Sequence, residues 1–304
     1  MNRIVIATRR SRLALWQAEH VKELLQRQRP GLAVELLPMT TSGDELADRR
    51  LNEAGGKGLF VKELEHALAE RRADIAVHSM KDVPADVPPG FALGAILERE
   101  DPRDAFVSIQ FDSLRQMPKG AVIGTSSLRR AAQVVHRYPG LETRLLRGNV
   151  ETRLAKLERG EYDAAILAVA GLVRLGLGAR IRSRIEVEDS VPAPGQGAIG
   201  VECVAERAEV LDLLSSLDHS PTSTCVQAER AVSRALGGSC TVPLGAYAEQ
   251  AGGRLRLRAL VASADGRRIA LADCQGAGAD AVAAEAVAEL RRHGAAEILA
   301  LLGK

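Results

Sequence analysis

Arginine, serine and threonine collect at the points of this 304-residue sequence where an apolar run gives way to an amphipathic one. Arg9, Arg10 and Ser11 follow the strand-like Arg3–Ala7. Thr125, Ser126, Ser127, Arg129 and Arg130 follow Ala121–Gly124, and Arg147 with Asn149 follows Thr143–Leu146. In an open α/β sheet, ligands bind beyond the carboxyl ends of the strands, where helix N-termini offer free N–H groups and positive potential. Arginine adds a planar fork that grips a carboxylate through two parallel hydrogen bonds. Taken singly, each of these arginines reads as a solvated surface residue. Three junctions loaded in the same way predict a cleft for a small molecule bearing several carboxylates or phosphates.

The charge count supports a local site over a general one. From Ile123 to Arg182 there are 11 Lys/Arg against 5 Asp/Glu, yet the whole chain carries only +2. Such a balance excludes a polycation built for nucleic acid, and 3% aromatic residues leave little stacking surface for single strands. Apolar residues at 46% and charged residues at 26% describe an ordinary globular chain of two or three domains. Four scattered cysteines, none at CxxC spacing, and no HExxH give no support to a disulfide framework or a metal site. The ten-residue run Ala164–Val173 is too short to span a bilayer, and Met1–Arg12 lacks the apolar core of a signal peptide, so a cytoplasmic protein off the membrane is expected. Two glycine motifs fail on context. Gly195-Gln-Gly-Ala-Ile-Gly200 has prolines before it and a strand-like stretch after it, where a dinucleotide site needs a strand and then a helix. Gly55-Gly-Lys-Gly58 has Leu51 at the first glycine of a phosphate loop and Gly58 where Ser or Thr is required.

The elements that must hold the junction residues follow an α/β alternation. Strands are expected at 3–7, 33–37 and 74–78, the last ending in the polar loop Ser79–Asp82. Helices are expected from Ser11 to Pro30 and over 59–72. The theme restarts with strands at 121–124, 143–146 and 163–169 and helices at 127–138 and 150–159; the last strand suits a parallel sheet covered on both faces. A crossing at Val191–Gly195 leads to a strand at 198–204 that rejoins the first lobe. After Asp218 the pattern changes to a helix at 220–236, a hairpin of 254–258 with 267–274, and a closing helix at 281–292. The alternation of Arg254-Leu-Arg-Leu-Arg258 predicts one wet face. The expected architecture is α/β: lobe 1 from 1–97 with 198–216, lobe 2 from 103–191, and a small α+β third domain at 220–304.

Seven stretches carry a family resemblance. They are Ile6–Gln17, Gly55–Leu64, His78–Pro84, Gly124–Arg130, Arg147-Gly-Asn149, Pro194–Gly197 and Gly237-Gly-Ser-Cys-Thr-Val-Pro243. In this order they strongly resemble the porphobilinogen deaminases (hydroxymethylbilane synthases). The resemblance implies two lobes like those of periplasmic binding proteins around a cleft, and a third domain bearing a cofactor. It further implies a monomeric transferase of heme and tetrapyrrole biosynthesis that condenses four porphobilinogen molecules into a linear tetrapyrrole, releasing ammonia.

By the same resemblance, Cys240 carries a dipyrromethane cofactor through a thioether, a role that suits a thiolate, the best side-chain trap for an electrophilic carbon. Asp82 is the catalytic carboxylate, able to hydrogen-bond pyrrole N–H groups and to stabilise positive charge; by residue type alone it is equally a turn residue beside Lys81. Ser79, Lys81, Asp82, Thr125, Ser127, Arg129 and Arg130 bind the cofactor. Arg9, Ser11, Arg147, Arg153 and Arg174 hold substrate and growing chain, and Lys57 sits in a loop over the cleft. Two positions depart from the family pattern: Glu53 stands where many relatives carry a second lysine, and Ser239 replaces a more usual glycine. The competing reading is a non-catalytic cytosolic two-lobed binding protein or sensor for a polycarboxylate.

Overall fold

A computed structural model of the chain describes residues 1–41, 61–238 and 242–302. It divides into two compact units, Met1–Glu100 with Ala198–Ser223 and Asp101–Gly197 with Thr224–Lys304. The expected second lobe and nearly all of the third domain fall within the second unit.

The chain opens with β1 (Arg3–Arg9), α1 (Arg12–Gln28) and β2 (Ala33–Met39), followed by α2 (Lys62–Ala69), β3 (Ile75–Ser79), a tight turn over Met80–Asp82, and β4 (Phe91–Ile96). It continues with β5 (Asp104–Ser108), β6 (Val122–Thr125), α3 (Leu128–Arg137), β7 (Glu142–Leu145), α4 (Val150–Glu158), β8 (Ala164–Ala168), α5 (Val169–Arg174) and β9 (Ser183–Ile185). β10 (Ile199–Val204) then returns to the first sheet, as the sequence predicts, and α6 (Ala208–Ser215) follows.

The two five-stranded sheets share one plan. The first has the order β2-β1-β3-β10-β4 and the second β7-β6-β8-β5-β9. In each, three neighbouring strands run parallel and the fourth is antiparallel to both its neighbours. β8 therefore has a parallel partner on one side only, and its apolar run is cut at Ala168, where α5 begins. In the first sheet, Ile4, Ile6, Ile75, Val77, Ile199 and Val201 pack against α1 and α6. The opposite face, with Ala7 and Ala76, packs on Leu64 and Leu68 of α2.

The chain ends with α7 (Ser220–Ala235), β11 (Leu244–Ala251), β12 (Arg254–Ala262), β13 (Ile269–Gly276), α8 (Ala279–Arg292) and α9 (Ala295–Leu302). β12 and β13 form the expected antiparallel hairpin, and β11 adds a third strand. The wet face expected of Arg254–Arg258 holds only at its start. Arg254 is exposed, but Arg258 is buried, because Glu249 (2.6 Å) and Glu188 (3.2 Å) take its guanidinium and Tyr247 lies under it. Among the described residues, no helix is long and apolar enough to cross a membrane.

Candidate active site

In both sheets most of the described residues expected to do chemistry stand at or just beyond the carboxyl ends of parallel strands. In the first unit, Arg9 ends β1 and Ser11 caps α1, its Oγ accepting from Ala14 N at 3.3 Å. That bond satisfies one of the free N–H groups of the first helical turn. β3 ends in Ser79, and Lys81 and Asp82 occupy the tight turn, which is pinned by Met80 N donating to Ala198 O (3.0 Å) and Val83 N to Met80 O (3.2 Å). Gln17, buried on α1, donates to Ser79 Oγ at 2.8 Å and so ties the helix to the turn. Arg9, Ser11, Gln17, His78, Ser79 and Asp82 line a recess of about 50 Å³. Ser11 thus sits at the recess while also serving as a helix cap. Gln17 and His78 join the set without having been singled out as site residues, although both lie inside the stretches that carry the family resemblance.

In the second unit, Thr125 Oγ1 accepts from Ser127 N (3.2 Å) and Ser127 caps α3 by accepting from Arg130 N (3.4 Å). The next two side chains turn inward. Arg129 and Arg130, 4% and 6% exposed, both pair with Asp104 of β5, which is wholly buried. Arg129 donates to Asp104 at 3.0 and 3.3 Å and to Val191 O at 2.6 Å. Arg130 donates to Asp104 at 2.7 and 2.9 Å and to Ile166 O at 3.2 Å. Ser190 (2.8 Å) and Gln196 (2.9 Å) complete the carboxylate's partners. Burial alone would push the Asp104 carboxyl up, but the two guanidiniums hold it far below the usual carboxylate range.

Two guanidiniums against one carboxylate leave this cluster with one positive charge in excess, in a place where water screens little. Arg129 Nε is buried and has no hydrogen-bond partner among the described residues. Excess charge and an unused donor beside a capped helix start are what a carboxylate-bearing cofactor needs, so the residues fit such a group. Asp104, Gln196 and Ser190 were not legible as part of it.

Three further expected substrate residues, Arg147, Arg153 and Arg174, belong to the same unit. Arg147 precedes Asn149, which caps α4 by accepting from Thr152 N at 2.8 Å, and Lys156 Nζ donates to Arg147 O (3.3 Å). Arg153 donates to Gly148 O at 2.8 Å, closing the same loop. Arg174, buried at the end of α5, donates to Gly197 O at 2.7 Å. Gly195 and Gly197 both have positive φ, 73° and 91°, so the failed dinucleotide motif is a tight turn here. Its Gly195 N donates at 2.7 Å to Glu229 of α7, a wholly buried carboxylate that also accepts from Ala248 N at 2.8 Å. Lys57 and Cys240, with Glu53 and Ser239, lie outside the described residues. Among the described residues, no group of three His, Cys, Asp or Glu side chains is placed to hold a metal ion.

The family profile "Porphobilinogen deaminase, dipyromethane cofactor binding domain" matches residues 4–212, and "Porphobilinogen deaminase, C-terminal domain" matches 223–292. The chain is 57% identical to the porphobilinogen deaminase of Bordetella parapertussis, over 99% of this chain and 97% of that one. It is 56% identical to that of Paraburkholderia phytofirmans, over 98% and 89% respectively. A putative methionine-binding lipoprotein from Bacillus subtilis, a solved structure, aligns with a TM-score of 0.45 and 14% identity over 73% of this chain and 92% of its own. With both profiles matched in order and more than half of all residues identical across nearly the whole length, the chain belongs to the porphobilinogen deaminase family.

Proposed function

We propose that the chain condenses four porphobilinogen molecules head to tail into hydroxymethylbilane, releasing ammonia, with Asp82 as the catalytic carboxylate and a dipyrromethane primer on Cys240. The observation that carries this reading is the pair of family matches, which together span residues 4–212 and 223–292. When bound, the dipyrromethane supplies the first pyrrole α-carbon to which substrate is added.

The residues divide the work by charge. In each cycle the C–N bond of the protonated aminomethyl group (–CH2–NH3+) breaks, ammonia leaves with the electron pair, and the substrate is left as a cationic azafulvene. Asp82, which lines the recess, accepts from a pyrrole N–H and stabilises that cation with its negative charge; a C–C bond then forms and one α-proton is released. Gln17 and Ser79 hold the turn that aims Asp82. Arg129 and Arg130, with Thr125, Ser127, Ser79 and Lys81, bind the cofactor carboxylates, while Arg9, Ser11, Arg147, Arg153, Arg174 and Lys57 bind those of substrate and growing chain. Arg129 and Arg130 act chiefly through field and position, because Asp104 already occupies both guanidiniums.

The protein is expected to act as a monomer in the cytoplasm with no nucleic-acid partner, in keeping with its near-neutral balance of 41 basic and 39 acidic residues. The deciding test is the intact mass of purified, denatured protein. It should exceed the sequence mass by a two-pyrrole unit that maps to Cys240 and is absent from Cys240→Ser, since serine's hydroxyl is far less ionised than a thiol. An increment mapped to Cys203, Cys225 or Cys274, or no increment and no colour with an aldehyde reagent for pyrroles, refutes the assignment and leaves a binding protein.

A further inference from the structure

Residues 190–197 follow β9 in the second unit, and two parts of that unit hold them. The first is α3. Its Gln133, 7% exposed, pairs with the backbone of Val191 through both ends of the amide: Oε1 accepts from Val191 N at 2.7 Å and Nε2 donates to Val191 O at 3.3 Å. The same Nε2 donates to Arg129 O at 3.3 Å, which fixes the orientation of the amide. The second is the C-terminal sheet. Ala246 N of β11 donates to Pro192 O at 3.0 Å, and Glu229 of α7 joins Gly195 N to Ala248 N. Gly245 of β11 makes the close approach possible. A Cβ there would lie 2.9 Å from Val191 O and 3.1 Å from Pro192 O; its φ is not in the left-handed region, so the position demands space rather than conformational freedom.

Seated in this way, the stretch supplies partners to three arginines. Val191 O accepts from Arg129 Nη1 at 2.6 Å, the shortest bond that guanidinium makes. Gln196 Oε1 accepts from Arg130 Nη2 at 3.3 Å, and Gly197 O from Arg174 Nη2 at 2.7 Å. Ser190 and Gln196 also donate to Asp104, at 2.8 and 2.9 Å. Packing does not call for glutamine at 133, because an apolar side chain of similar length would fill the same volume on α3. What the amide adds is register: a satisfied buried polar pairing fixes Val191 in one place, where an apolar contact lets it slide.

We infer that Gln133, together with Gly245, is a positioning residue for cofactor assembly. The inference rests on the function proposed above and adds two residues that lie outside its cofactor-binding set. Both act through Val191. By seating it, and with it Ser190 and Gln196, they order Arg129 and Arg130 before the cofactor carboxylates arrive. An arginine ordered beforehand keeps its rotamer entropy out of the binding step, whereas a loose one surrenders that entropy when the anion binds.

The test is loading of the cofactor onto full-length apo-protein, prepared in cells unable to form porphobilinogen. Porphobilinogen is added well below the melting temperature, and intact mass follows the two-pyrrole increment while amide exchange is read at Val191 and Gly195. Gln133→Met keeps the length and removes both bonds to Val191; Gly245→Val presses on the stretch from β11. Val134→Ala, which loosens the cluster that α3 forms with Phe106 and Ile123, is the control for lost stability alone. Both test variants should exchange Val191 N at least about tenfold faster than the parent, the scale of one lost buried hydrogen bond. They should also gain the increment at least about tenfold more slowly. The control should load at the parental rate. A parent that gains no increment overturns the function and this inference together. A parent that does, with either test variant loading as fast or exchanging Val191 N no faster, overturns this inference alone, as does a control slowed as much as they are. If both variants fail to fold, the parent decides: loading should slow exchange at Val191 N at least about fivefold, and unchanged exchange refutes the role.

Discussion

Asp104→Asn should be the most costly conservative substitution in the second unit. The carboxylate takes six hydrogen bonds: two from Arg129, two from Arg130, one from Ser190 and one from Gln196. Oδ1 serves four donors and Oδ2 two. Asparagine can keep Oδ1, but its amide nitrogen then faces Arg129 Nη1 and Ser190 Oγ, which now sit at 3.0 and 2.8 Å from Oδ2. Ser190 can rotate and accept; Arg129 cannot. The substitution leaves two buried guanidiniums without a counter-charge, and breaking a buried pair costs about 3–5 kcal/mol. At about 2–4 °C per kcal/mol, the melting temperature should fall by about 6–20 °C.

The same reasoning fixes the pH dependence. Asp104 titrates far lower folded than unfolded, so its stabilisation is complete above the unfolded value near pH 4 and is lost as pH falls below it. The gap between parent and variant should therefore be constant from about pH 6 to 8 and shrink by about 1.4 kcal/mol for each pH unit below about 4. Calorimetry of both proteins at several pH values measures it, with intact mass reporting cofactor content. A gap under about 1 kcal/mol at pH 7, or one that ignores acid, would show that the arginines do not depend on Asp104.

Three other outcomes follow from the same geometry. Asp82→Asn should lower single-turnover ammonia release by at least about 10²-fold, with Glu less harmful than Asn and both variants melting near the parent; parental turnover by Asn would reduce Asp82 to a turn residue. Glu65→Gln should stabilise the protein at neutral pH and lose that advantage as pH falls towards 4. Its carboxyl titrates higher folded than unfolded, so the parent loses stability as pH rises through that window; urea titrations at both pH values read the difference. Burial pushes the thiols of Cys203 and Cys274 up to about 11 and about 12, so native protein at pH 8 should leave both unalkylated under conditions that label a free thiol fully.

Much of the fold was legible because local signals agreed with it. Ser11 caps a helix as its sequence position suggests, Ser127 and Asn149 stand at the two helix starts expected there and prove to be their caps, and β1, β3, β6 and β8 are apolar runs bounded by polar turns. The misses share a cause. β5 begins with a buried charge, Asp104, where a strand pattern wants an apolar residue, and β9 has only three residues, too few for any period to show. The apolar run after Asp163 gave no sign of where strand becomes helix, because a continuous apolar stretch fits either. Arg258 read as wet by alternation and is dry, since its partner Glu188 lies 70 residues earlier, on the stretch that leads into the crossing.

The site shows the same limit in sharper form. Sequence placed arginines at helix starts and inferred hands open to an anion. It gave no hint that one aspartate, 25 residues upstream of Arg129, holds two of them. Nor did it show that Gln196 and Ser190, from either side of the Pro192–Pro194 crossing, close on the same carboxylate. An open clamp and a clamped arginine have the same sequence signature, but they answer a ligand differently. An open pair must be ordered when the anion arrives, at a cost in side-chain entropy. The Asp104-bound pair is ordered beforehand and offers its excess charge without that cost. The anion site proposed for Arg129 and Arg130 would therefore act as a fixed field at the start of α3, and Asp104 is the residue that holds both guanidiniums in place.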